Sequence, residues 1–268
     1  MKRIVFQGVV LILLFFLAFT TLRRVDWVTL FRIDKVRAPV EESVADFFWD
    51  FYRGSERIID DQSVTGVTDS LLSVICEGNG IARESIEIYV VRRNDVNAFA
   101  LPGGRIVLHS GLIEEAGDQY ELAAVIAHEL AHIELDHVIK KLTKELGLTF
   151  LIAMTSGRGG GEMAREALRV VTSKAYDRNL EREADERAAE YLISIGISPL
   201  YYAAFLERMS QKESTATRYI TWLSTHPYTG ERVATITDAG AGYGDQAREI
   251  VAPETWQEFQ ERVKTLSN

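Results

Sequence analysis

The sequence predicts an α+β fold, mainly helical, with a small β-hairpin or sheet beside a cleft and one N-terminal transmembrane helix. Three observations predict it. Apolar residues recur at helical spacing through most of the chain. β-Branched and aromatic residues concentrate in one stretch, 86–112, around a Pro102-Gly103-Gly104 turn. Nineteen residues without a charge, Ile4 to Leu22, come directly after Lys2 and Arg3. The formal net charge of −9 leaves no basic stripe to meet phosphates, which excludes nucleic acid as a partner. Cys76 is the single cysteine, so neither an intrachain disulfide nor a thiolate metal cluster can form.

At 1.5 Å per residue the N-terminal apolar run spans about 28 Å, close to the ~30 Å hydrocarbon core of a bilayer. Its only small pair near the end, Ala18 and Thr20, makes a poor cleavage site, so residues 1–24 are expected to be an uncleaved anchor. Basic residues beyond it (Arg23, Arg24, Arg32, Lys35, Arg37) outnumber Lys2 and Arg3, a count that places the catalytic side of the chain in the cytoplasm. A short Lys-Arg tail is instead the signature of an anchor that exports the domain behind it. The chain is therefore expected to be a single-pass membrane protein with a periplasmic or extracytoplasmic domain.

Residues 25–60 read as a juxtamembrane stretch and an amphipathic helix, EESVADFFWDFYRGSERI, whose Phe47, Phe48, Trp49, Phe51 and Tyr52 suit a core better than a membrane belt. Residues 61–268 form the main domain. Within it VNAFAL and RIVLH flank the Pro-Gly-Gly turn as a hairpin, with His109 in packing. The apolar LGLTFLIAM is too short to span a bilayer, and the GRGGG after it is a hinge or mobile loop that lacks the Lys and Ser or Thr of a phosphate loop. Further helices are expected at 162–176, 179–195, 199–212 and 253–266.

Of five histidines, His128, His132 and His137 fall within ten residues, two of them in HELAH. Histidines four apart on a helix lie one turn above each other on the same face and can grip one metal ion. Glu129 between them can take a proton from water at that ion. HExxH alone arises by chance in Ala- and Leu-rich helices. Here LAAVIAHELAHIEL is apolar nearly all round, as a core helix is, and burying these polar groups is costly unless something satisfies them. A metal does that.

A catalytic zinc site takes three protein ligands and leaves one open position. The pattern HExxHxxGxxH would need a glycine at 135 and a histidine at 138, where this chain has Leu135 and Val138. On a continuous helix His137 is half a turn out of phase with His128, which leaves it a supporting or solvated role. In NLEREADERAAEYLISIG, Leu180, Ala184, Ala188, Tyr191, Leu192 and Ile195 recur at helical spacing. Glu181 falls about 50° from the centre of that stripe and Glu183 more than about 110° away. An isolated Glu is ordinarily a solvated helix position; with HELAH upstream, Glu181 becomes the candidate third ligand.

Four segments together, NAFALPGGRIVLHSGL (97–112), HELAH with His137, the ExxAD of Glu181 to Asp185, and THPYTGERVATI (225–236), resemble the HtpX, Ste24-like CAAX prenyl endopeptidase and BepA-like zinc metallopeptidases. The resemblance implies a zincin-type metallopeptidase domain holding one Zn2+ per chain on His128, His132 and Glu181. Glu129 is then the general base and Asp185 supports a ligand from behind. His226, otherwise a plain turn residue before proline, becomes the candidate donor to the oxyanion, ahead of Tyr228 and Arg232. The implied activity is metalloendopeptidase cleavage of unfolded or unassembled envelope proteins. Asn97, Ala98, Phe99, Ala100 and Leu101 are the candidate substrate strand, since an exposed edge binds an extended peptide through its backbone. The competing expectation is a zinc-stabilised, chaperone-like module that captures peptides without cutting them.

Overall fold

Helix α1 (Ile33–Ser55) shows how the aromatic group is used: Val44, Phe48, Trp49 and Tyr52 are buried along one side. Trp49 packs at a tilt on Tyr89, with 4.0 Å between ring centroids, and Tyr52 meets the edge of Phe99 at 5.7 Å. These rings are core. They belong to a compact unit that begins at Glu42, so this part of the helix folds with the main domain rather than with the stretch that precedes it. The computed structural model describes residues 33–153, 161–213, 221–243 and 248–267. The expected span Ile4 to Leu22 and most of GRGGG lie outside the described residues. Among the described residues no helix is long and apolar enough to cross a membrane.

Helix α2 (Gln62–Asn79) is not apparent from the sequence, because its Ser, Thr, Val and Gly content reads as poor helix former. Tertiary packing and caps decide it. The Asp61 side chain accepts from Ser63 N at 3.0 Å, and Gly80 ends the helix in the left-handed region (φ 67°). Val64, Val67, Leu71, Leu72 and Ile75 recur at helical spacing on the buried face.

Strands β1 (Glu87–Val91), β2 (Ala98–Leu101) and β3 (Arg105–His109) form one sheet in the order β1-β3-β2. The expected hairpin is present, with Ala98 opposite Leu108 and Leu101 opposite Arg105. The parallel pairing of β1 with β3 is not legible in the sequence, since a crossover neighbour leaves no local signal. Strand β2 lies at the edge of the sheet, but it is not the exposed edge expected. All four of its residues are buried, because the helices Gln119–Glu134 and Gly161–Ser173 pack against it.

After the short α3 (Ser110–Glu115) comes α4 (Gln119–Glu134), the central element, with every side chain from Leu122 to His132 buried. Asp118 caps it, accepting from Tyr120 N and Glu121 N at 2.9 Å each. The expected continuation to residue 137 does not occur. Asp136 adopts a left-handed backbone (φ 56°) and α5 (His137–Leu146) starts in a new direction, with α6 (Leu148–Ala153) after it. The remaining helices are α7 (Gly161–Ser173), α8 (Arg178–Ser194), α9 (Leu200–Glu213), α10 (Trp222–Thr225), α11 (Gly230–Gly240) and α12 (Pro253–Ser267). Helix α4 packs most extensively on α8 and also against α2, α9 and the sheet. Alanines on both α4 (Ala124, Ala127, Ala131) and α8 (Ala184, Ala188) allow the two axes to come close.

Gly104 closes the hairpin with φ 72°, and a Cβ there would lie 2.1 Å from the Ser85 carbonyl oxygen. Left-handed strain and backbone overlap together are expected to make Gly104→Ala cost ~2–4 kcal/mol, read as a lower midpoint in urea unfolding. An unchanged midpoint would refute this account of the turn.

Candidate metal centre

Helix α4 delivers His128 and His132 one turn apart, and α8 delivers Glu181 and Asp185 one turn apart on the facing surface. Proline after His226 favours the extended backbone that ends α10, and the His226 ring closes the group. Within it His132 Nε2 lies 3.0 Å from His128 Nε2, His226 Nδ1 lies 3.2 Å from His128 Nε2, and Glu181 Oε1 lies 3.0 Å from His226 Nδ1 and 3.4 Å from His132 Nε2. Corners of a tetrahedron 2.0–2.1 Å from a central zinc are about 3.3 Å apart. The four side chains are buried and can hold one metal ion. Four lone-pair atoms brought this close inside a core suit a cation better than one another.

The surroundings orient these ligands. Arg232, buried in α11, clamps Asp185 with two hydrogen bonds of 2.7 Å and lies 2.8 Å from Glu181 Oε2. Asp185 Oδ1 is 3.2 Å from His128 Nδ1, so Nε2 of that ring faces the other ligand atoms. Burial alone would raise both carboxyls. For Glu181 the charges of His226 and Arg232 and the hydrogen bonds from the imidazoles prevail and hold it well below the usual range. For Asp185 the Arg232 bonds prevail and hold it below the usual range. Burial keeps His132 well below, and His226 below, the ordinary imidazole value.

Glu129 is fully buried beside this group. Its Oε1 accepts from Trp222 Nε1 at 3.1 Å and lies 3.4 Å from His226 Nε2, while the Ala100 backbone amide of β2 also faces the carboxylate. Burial pushes its carboxyl above the usual range, opposed by the charge of His128 and the Trp222 bond. His226 is sandwiched between Trp222 (centroids 5.0 Å, 27°) and Tyr176 (5.4 Å, 29°). Tyr176 also stacks on His132 at 4.0 Å, and Lys141 Nζ sits 3.8 Å from the Tyr176 centroid.

Of the residues singled out from sequence, His128, His132, Glu181 and His226 come together, with Glu129 and Asp185 adjoining. His137 is fully buried and in contact with His132, so the solvated alternative is corrected. The helix break at Asp136 turns its ring back. Phe99 packs against Tyr52 and His109, and Asn97 and Leu101 are buried. His109 pairs with Asp95 at 3.0 Å, a packing role. Tyr228 is 37% exposed at the rim of a cavity of about 490 Å³ lined also by Tyr176, Arg178, Glu181, Arg182 and Arg232. Arg232 holds carboxylates instead of facing an oxyanion. Sequence reasoning misses Trp222, Tyr176 and Lys141, whose positions depend on chain segments far apart.

The model of peptidase family M48 matches residues 63–239, which span both helices, the hairpin and Arg232. The chain belongs to peptidase family M48. It is 25% identical over 243 residues to the beta-barrel assembly-enhancing protease of Escherichia coli (strain K12), covering 84% of this chain and 48% of that protein. It is 32% identical over 168 residues to the metalloprotease LoiP of the same organism, covering 60% and 65%. To the mitochondrial metalloendopeptidase OMA1 of Bos taurus it is 28% identical over 184 residues, covering 63% and 35%. The chain therefore spans about half the length of the first of these relatives. Membership of this metallopeptidase family and the ligand group point to the same residues.

Burial pushes the Lys141 ammonium down to about 8, opposed by the charges of Glu181 and Glu129. Below that pH both folded and unfolded chains carry the charge and its cost is fully present; above the ordinary lysine value of ~10.4 both are neutral and the cost is gone. Lys141→Met is expected to raise the unfolding free energy by on the order of 2–3 kcal/mol near pH 7, with the gain shrinking as pH rises toward ~10. Urea unfolding at the two pH values checks this, and an equal gain at both would refute it.

Proposed function

We propose that this M48 chain is a membrane-anchored, zinc-dependent endopeptidase whose exported domain cleaves unfolded or unassembled envelope polypeptides. The observation that carries the reading is the buried group of His128 Nε2, His132 Nε2, Glu181 Oε1 and His226 Nδ1, all within 4.8 Å of one another, with Glu129 directly beside it. His128, His132 and Glu181 would hold the zinc, which supplies a Lewis acid that polarises the scissile carbonyl and makes hydroxide available near neutral pH. The protein's own groups do the rest. Glu129, made more basic by burial, accepts the proton of the attacking water and hands it to the leaving amine. The Trp222 indole N–H and the Ala100 amide fix that carboxylate in place.

The His226 ring lies within reach of the other ligand atoms in this conformation, and with substrate bound it would be the donor to the developing oxyanion. Asn97 to Leu101 are the proposed substrate strand, supported by the Ala100 amide facing Glu129 and by the terminal place of β2 in the sheet order, although α4 and α7 cover that strand in this conformation. Ile4 to Leu22 and the Lys-Arg tail support anchoring and export. The envelope substrate class is supported by the likeness of the chain to the beta-barrel assembly-enhancing protease, as that relative's name describes it.

The position of His226 also favours a second reading, a peptide-capturing module in which a closed four-ligand zinc serves only the fold. Glu129 separates the two. Glu129→Gln is expected to keep stoichiometric zinc and to lose at least ~100-fold of the casein-cleaving activity of the detergent-solubilised chain. Chelation should abolish cleavage by the parent, and readdition of zinc should restore it. A Glu129→Gln chain that cleaves as fast as the parent overturns the proposal, as does a parent whose cleavage survives removal of its metal.

A further inference from the structure

The two histidine ligands are held from behind in different ways. His128 faces Asp185, which is itself clamped by Arg232 in the core. His132 has an imidazole behind it: its Nδ1 lies 3.0 Å from His137 Nδ1, and His137 Nε2 lies 3.3 Å from Glu183 Oε2. His137 is fully buried, whereas the Glu183 side chain is 49% exposed. We infer that His137 and Glu183 are positioning residues for His132, a relay in which a surface carboxylate acts through a second imidazole to set the tautomer of the metal ligand. The inference rests on the reading of His128, His132 and Glu181 as a metal centre.

Proton bookkeeping determines the direction of this relay. Two facing Nδ1 atoms 3.0 Å apart share one proton, since two would repel and none would leave two lone pairs opposed. For His132 to present an Nε2 lone pair to the ion, its proton must sit on Nδ1 and be donated to His137. His137 Nδ1 is then the acceptor, its proton sits on Nε2, and the Glu183 carboxylate accepts it. The left-handed backbone at Asp136 makes the contact possible, because a helix continued through residue 137 would turn the ring away from His132. Glu183, two residues after the Glu181 ligand on α8, lies off the buried face yet within reach of α5.

The test uses the full chain in detergent, with zinc affinity measured by competition with a chromophoric chelator and metal-free stability measured separately by thermal unfolding. Glu183→Ala, which removes the acceptor, is expected to weaken zinc binding about ten-fold, and His137→Phe, which keeps a ring but no nitrogen, by more. The metal-free melting temperature of Glu183→Ala should match the parent, since the side chain is half-exposed, and its cobalt-loaded form should show a shifted visible band. Zinc affinities within about two-fold of the parent for Glu183→Ala would overturn the inference while leaving the metal centre standing. A fall in the metal-free stability of Glu183→Ala accompanying its loss of affinity would also overturn it, marking a structural role. If His137→Phe does not fold, Glu183→Ala alone decides. A parent chain that binds no zinc brings down this inference and the metal-centre reading together.

Discussion

The structure depends on how charge is compensated inside the α4–α8 interface. Glu129, Glu181 and Asp185 are carboxylates placed in a core where ionised groups are costly. Arg232 answers two of them at once, bidentate to Asp185 and paired with Glu181, and Lys141 stands behind Tyr176. Removing Arg232 would leave Asp185 and Glu181 with imidazoles as their remaining partners and no permanent positive charge against them, a loss typical of broken buried ion pairs. A dication among the ligand atoms would complete the same arrangement. For that reason the residues that hold the fold around α8 and those that would hold a metal cannot be separated.

That constraint explains the local architecture. Helix α4 can present two histidines and a glutamate to the core because its other faces are Leu, Ala, Val and Ile packed against α2, α8, α9 and the sheet. Helix α8 can approach because Ala184 and Ala188 are small. Trp222, Tyr176 and His226 then roof the site as parallel rings, with Trp222 bonded to Glu129. Placing β2 against α4 brings a backbone amide to the same carboxylate. Elements from separate stretches of chain meet at Glu129 and its neighbours, with the short α10 closing over the helices.

Much of this is legible in the sequence because it is periodic or capped. HELAH and the Glu181 stripe obey helical phase, a property of residues three and four apart. The hairpin comes from Gly103 and Gly104, which can take the positive φ the turn needs. Other features are hidden for equally physical reasons. Helix α2 is built from weak helix formers and is stabilised by its caps and its buried face. The burial of β2 comes from α4 and α7, which its own residues do not report.

By itself the sequence determined the residue types of a metal centre, their spacing along two helices, the net negative charge and the long apolar run near the N-terminus. These are one-dimensional quantities, and local backbone geometry converts them directly into faces and lengths. Only the tertiary structure decided that His226 joins the ligand group, that Arg232 serves carboxylates, that Trp222 holds Glu129, and that His137 folds back onto His132. Each of those contacts joins segments through packing or a single left-handed residue, and neither composition nor periodicity encodes where such a chain returns.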